Sequence, residues 1–135
     1  MTDEIGKRVL IIDDDPDVRE IVGISLQQRG IPVLFAEDGE EGLETARSEK
    51  PDLIILDVLM PKKDGLSVFE DLLKEENLAV IPVVMLTSVS DKVGFGFSAD
   101  TMKEHFGKKP AAYLEKPVDP EKLVKTVQNL LGVWE

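Results

Sequence analysis

The chain has 135 residues, 42% hydrophobic and 32% charged, the length and balance of one globular domain (read as 1–135) with enough apolar residues for a core. A formal net charge of −11 argues against direct binding of nucleic-acid phosphates, and no apolar run nears the roughly 20 residues of a membrane span. Zero cysteines exclude disulfides and thiolate metal sites, and "MTDEIGKR" has no apolar signal core, so the expectation is a cytoplasmic protein without membrane insertion.

The first predicted strand, "RVLII" (Arg8–Ile12), runs straight into Asp13, Asp14 and Asp15. Adjacent carboxylates repel, and a partly buried one is costly unless a cation neutralises it. One acid is enough to cap the next helix. Asp15 suits that cap and Pro16 the first helical position, with Val18, Ile21, Val22 and Leu26 on the apolar face and Gly30 as the stop. Asp13 and Asp14 therefore call for another explanation. A second strand, "IPVLFA" (Ile31–Ala36), and a less apolar helix around Gly42, Leu43 and Ala46 precede Pro51.

"LIIL" (Leu53–Leu56) leads to Asp57, and Leu66, Phe69, Leu72 and Leu73 outline a third helix. "IPVVML" (Ile81–Leu86) leads to Thr87 and Ser88. The segment Val89 to Pro110 offers a loop with Gly94 and Gly96, then a short helix with Met102 and Phe106 on one face. A weaker strand, "AAYLE" (Ala111–Glu115), ends at Lys116-Pro117. After Asp119-Pro120 the last helix places Leu123, Val124, Val127, Leu130 and Leu131 on one side.

Near-continuous apolar runs mark parallel strands covered on both faces, and strand and helix alternate five times, which argues for an α/β, doubly wound sheet of βαβ units. Such sheets bind ligands beyond the carboxyl ends of their strands. That rule brings Asp13, Asp14, Asp57, Thr87 and Lys116 to one rim. Carboxylates without His or Cys suit a hard, oxygen-bound cation such as Mg²⁺, which also takes phosphate oxygens. A lysine and a hydroxyl serve a phosphoryl group, and an aspartate can be the nucleophile that becomes an aspartyl-phosphate.

The pair Asp13-Asp14, the run "DVLMPKKDG" (Asp57 to Gly65), Thr87 and Lys116-Pro117 stand in an order that resembles a two-component response-regulator receiver domain, chemotaxis-regulator-like, over nearly the whole chain. The resemblance implies a flavodoxin-like (βα)5 sandwich with a five-stranded parallel sheet in the order 2-1-3-4-5. It implies that Asp57 accepts a phosphoryl group from a sensor histidine kinase or phosphotransfer protein. Such a domain is a phosphoacceptor that assists its own phosphorylation and dephosphorylation rather than an enzyme. By the same resemblance Asp14, Asp57 and the Leu59 backbone carbonyl bind Mg²⁺ directly, and Asp13 through water. Thr87 and Lys116 contact the phosphoryl oxygens, Thr87 and Tyr113 form the switch, and the Lys116–Pro117 bond is cis. Output then passes to a downstream protein on the face of the fourth helix, strand five and the last helix, with a phosphorylation-dependent homodimer left open.

The stretch from Thr87 to Lys116 is longer than usual for that family and is expected to give the output face its specificity, with Phe95 and Phe97 either an adhesive patch for a partner or folded back onto the core. Leu59 and Val89 cannot orient an attacking water, so slow self-dephosphorylation is expected. His105 is read as exposed, Lys62-Lys63 as a solvated loop, and "GVWE" as too short for an effector, making the chain stand-alone or part of a longer regulator. The rival is a haloacid-dehalogenase-like phosphohydrolase with Asp13 as nucleophile and Asp15 as general acid. A flavodoxin-type carrier is discarded, because three aspartates would repel the FMN phosphate.

Overall fold

The computed structural model describes residues 6–60, 63–87 and 108–133. Five strands, β1 (Val9–Ile12), β2 (Val33–Ala36), β3 (Leu53–Asp57), β4 (Val83–Thr87) and β5 (Ala112–Glu115), form one parallel sheet in the order β2-β1-β3-β4-β5. The helices are α1 (Pro16–Gln27), α2 (Gly39–Glu49), α3 (Gly65–Leu73), the one-turn α4 (Glu76–Ala79) and α5 (Pro120–Leu131).

Strand alternation divides the core in two. Leu10, Ile12, Ile54, Leu56 and Met85 face one side, where Leu43 and Ala46 of α2 and Val68, Phe69 and Leu72 of α3 cover them. Val9, Ile11, Ile55, Val84 and Leu86 face the other, under Val22 and Leu26 of α1 and Leu123, Val124 and Val127 of α5. The central strands are apolar up to the Asp57 and Thr87 that end β3 and β4, because both faces are dry. The edge strands are less buried, and Phe35 of β2 is exposed.

Capping follows the sequence. Asp15 and Asp119 each accept a backbone N–H at the start of α1 and α5, with Pro16 and Pro120 in the first turn. Several details differ from the expectations. Strands β3 and β4 extend to Asp57 and Thr87, so these functional candidates are terminal strand residues held by sheet pairing. Helix α1 ends at Gln27 with Gln28 as its cap, and Gly30 lies in the turn beyond. Ile21 and Leu130, expected in the core, are exposed. Gly23 and Gln128 are buried instead, Gly23 because the Phe35 ring packs against it. Lys62, Val89, Gly94, Phe95, Gly96, Phe97, Met102, His105 and Phe106 lie outside the described residues.

Candidate phosphoacceptor and metal site

Register places the site. Ile12 pairs with Leu56, Asp57 with Leu86 and Thr87 with Glu115, so Asp13, Asp57, Thr87 and Lys116 reach the same carboxyl rim from four strands. Backbone bonds extend the pairing past the strand ends: Asp13 N–H donates to the Ala36 carbonyl (3.1 Å), Val58 N–H to Leu86 (3.1 Å) and Lys116 N–H to Thr87 (2.7 Å). The rim is therefore as rigid as the sheet beneath it.

Asp13, Asp57 and Thr87 are 0%, 3% and 2% exposed, while Asp14 faces solvent. The Lys116 ammonium lies 3.2 Å from Asp13 Oδ2 and 3.2 Å from Asp57 Oδ1, bridging the two buried carboxylates. Asp13 Oδ1 accepts the Asp15 N–H at 2.9 Å. Its buried Oδ2 meets the lysine as an ion pair but has no aligned hydrogen-bond donor among the described residues. The Lys116–Pro117 peptide bond is cis.

Charge in this pocket is unbalanced. Burial, then the neighbouring Asp13 charge, pushes the Asp57 carboxyl up to about 7, with Lys116 opposing. Burial likewise raises Asp13 against the pull of the Asp15 N–H and Lys116. Burial pulls the Lys116 ammonium down, yet Asp57 and Asp13 outweigh it and the net direction is up. One lysine thus serves two buried acids, with a third acid at the mouth.

Oxygens of Asp13, Asp14 and Asp57 lie within 4.8 Å of one another, close enough to share a cation. An all-carboxylate donor set, with a buried Asp13 oxygen that among the described residues has an ion pair but no aligned donor, fits Mg²⁺, a hard oxygen-seeking ion. Asp15 has no such place. It is exposed, and its carboxylate accepts the Asp17 N–H (2.9 Å) as the helix cap, so it is not positioned as the general acid of a hydrolase.

Tyr113 pairs with Met85, two residues before Thr87 along β4, which puts the tyrosine and Thr87 on the same face of the sheet. Partial burial against the α2–α3 side of the core raises its phenol to about 12. Arg19 carries no sequence motif and escapes motif-based reading. Its guanidinium nevertheless donates to the Asp13 backbone carbonyl at 2.8 Å. The readable signal is its place one turn after the Asp15 cap, where a long side chain reaches back over the preceding loop.

A doubly wound sheet whose rim gathers carboxylates, a hydroxyl and a lysine is compatible with binding a divalent cation and a phosphoryl group. The family model "Response regulator receiver domain" matches residues 9–128, and the chain belongs to that family. It is therefore a phosphoacceptor signalling domain of two-component systems and not a phosphohydrolase, which corrects the rival reading.

Among relatives, Protein PilH of Pseudomonas aeruginosa is 36% identical over 93% of this chain and 98% of its own length. The "DNA-binding dual master transcriptional regulator RpaA" of Synechocystis sp. is 41% identical over 92% of this chain and 48% of its own length. The chain spans about half the length of the transcriptional regulators it matches. A response regulator structure from Chloroflexus aurantiacus superposes with a TM-score of 0.80 at 33% identity, covering 93% of this chain and 98% of that one. Chemotaxis response regulator CheY4 of Vibrio cholerae gives 0.78 at 31%, covering 92% and 98%. Both share the flavodoxin-like fold. Among the described residues no helix is long and apolar enough to cross a membrane.

Proposed function

We propose that residues 1–135 act as a single cytoplasmic phosphoacceptor domain in which Asp57 takes a phosphoryl group and Asp13, Asp14 and the Leu59 carbonyl complete a Mg²⁺ site. The observation that carries this reading is the Lys116 ammonium set 3.2 Å from both Asp13 and Asp57 beside the clustered acids. Receiver domains take their phosphoryl groups from histidine kinases and bind Mg²⁺ at an aspartate cluster.

The transfer follows from charge. A carboxylate oxygen of Asp57 attacks the phosphorus of a phosphohistidine, the P–O bond forms as the P–N bond breaks, and the imidazole nitrogen leaves with the electron pair. Lys116 then neutralises charge on the equatorial phosphoryl oxygens, while Thr87, at the end of β4, offers them its hydroxyl. Mg²⁺, when bound, supplies the remaining positive charge that lets an anion approach three carboxylates. The domain consumes one phosphoryl group per event, so it works as a switch rather than a turnover enzyme.

Output on this reading begins at Thr87. Its hydroxyl is drawn toward the new oxygens, and Tyr113 on the same sheet face occupies the space released. Phosphorylation then shifts the population between two packings of β5 and α5, the described part of the face offered to a downstream protein or a second copy.

The test is covalent labelling with acetyl phosphate in Mg²⁺, mapped by peptide mass spectrometry. One phosphoryl group on Asp57, none in Asp57→Asn, is expected; label on Asp13 would overturn the assignment.

A further inference from the structure

Asp13 is held at nearly every polar atom. Its N–H bonds Ala36 of β2, its Oδ1 takes the Asp15 N–H, and its backbone carbonyl takes the Arg19 guanidinium at 2.8 Å. Among the described residues Oδ2 alone of its oxygens has no aligned hydrogen bond, and it faces Lys116. The loop from β1 to α1 is fixed at one end by the sheet and at the other by the Asp15 cap. The carbonyl of Asp13 lies between those anchors, where rotation of one peptide plane would turn both Asp13 and Asp14.

We propose that Arg19 is a positioning residue for the acidic loop: by holding the Asp13 carbonyl it aims the carboxylates of Asp13 and Asp14 for a divalent cation. The inference rests on the Mg²⁺ reading above. Arg19 is well placed for the task. Its own N–H bonds the Asp15 carbonyl (3.1 Å), and helical side chains lean toward the N-terminus, so its guanidinium spans the loop from a rigid base. Removing it leaves a buried carbonyl without its partner and frees the peptide plane to turn.

Charge and positioning predict opposite signs. A cation beside the acids repels an incoming divalent ion, so if charge were its only effect, losing Arg19 would tighten Mg²⁺ binding. If Arg19 aims the loop, losing it weakens binding.

Isothermal titration of the whole chain with Mg²⁺ distinguishes them, using Arg19→Ala, Arg19→Lys and, as a charge control, the exposed Arg29→Ala. Arg19→Ala is expected to weaken Mg²⁺ about 10-fold, the scale of lost outer contacts at metal sites. Arg19→Lys, which keeps a donor, should recover part of that loss, and Arg29→Ala should show no loss. Acetyl phosphate labelling of Arg19→Ala should be slow at low Mg²⁺ and return to the wild-type rate at saturation. Binding by Arg19→Ala as tight as wild type or tighter, or equal losses in the Arg19 and Arg29 variants, would overturn the proposal. If Arg19→Ala loses its cooperative melt, Arg19→Gln is read by the same criteria. A wild-type chain that binds no Mg²⁺ would sink the metal reading itself, a result distinct from failure of the Arg19 role.

Discussion

At the scale of single residues, the pocket separates groups that bind from groups that decide lifetime. Asp57 and Asp13 are fixed by burial and by their shared ion pairs with Lys116, so on the proposed reading substitutions at these three should change whether phosphate is taken up. Leu59, two residues past Asp57, is 53% exposed and has no polar atom on its side chain. If Asp57 is the phosphoacceptor as proposed, Leu59 offers no group to align a water for attack on the aspartyl-phosphate, and hydrolysis is expected to be slow. Leu59→Asn places an amide there and should speed loss of phosphate several-fold without altering uptake, followed by the decay of labelled protein after the donor is removed. An unchanged half-life would show that orientation of water at this position does not limit the reaction. Val89, the second residue to which slow hydrolysis is attributed, lies outside the described residues.

Between elements, the tightest joint is where α3 begins. A Cβ on Gly65 would stand 2.1 Å from the Asp57 carbonyl oxygen and 2.9 Å from Val58 Cα, and Gly65 N–H already donates to the Val58 carbonyl at 2.7 Å. Those are backbone atoms of β3 and its extension, so nothing flexible can give way. Gly65→Ala should cost about 1–3 kcal/mol, the range for overpacking, and lower Tm by roughly 5–10 °C. It should also slow phosphorylation, because the peptide it displaces carries Asp57. Gly132→Ala, strained by its left-handed φ of +71° but meeting open space far from Asp57 in sequence, should lower Tm yet leave phosphorylation intact, so equal labelling rates in the two variants would argue against the coupling. This joint also marks how much the sequence discloses. Continuous apolar runs disclosed the central strands, and the Asp-Pro pairs disclosed the starts of α1 and α5. The rim was legible because carboxyl ends in a parallel sheet are fixed by chain direction, so whatever follows each strand meets its counterparts. Periodicity gave Ile21 and Leu130 to the core wrongly, since a helix on a sheet buries an arc whose edges depend on its neighbours. It could not reveal Arg19 at all, because a guanidinium bonded to a backbone carbonyl leaves no pattern among side chains.

For the molecule as a whole, the pocket sets stability against function. Asp57 titrates near 7 in the folded chain against its usual 3.8, and Asp13 is shifted in the same direction. Between about pH 4 and about pH 7 the unfolded chain has released these protons while the folded chain still holds them, so stability falls as pH rises through that window and levels off above it. Lys116, whose ammonium is held above its ordinary range, stays charged throughout and contributes no slope. In a chelator, Tm should therefore decline by several degrees across that window. On the proposed reading Mg²⁺ is expected to bind the ionised carboxylates, and only in the folded state. At ten times its Kd it should add about 1.4 kcal/mol, several degrees in Tm, and that gain should grow with pH as Asp57 and Asp13 ionise. Asp57→Asn removes the most conflicted charge, so it should raise the metal-free Tm near pH 7, flatten the decline and shrink the Mg²⁺ gain. Calorimetric melts with and without Mg²⁺ at a series of pH values check all three. A metal-free Tm that rose across the same interval would mean the carboxylates are stabilised by their partners rather than crowded by one another, and the need for a cation would lose its physical basis.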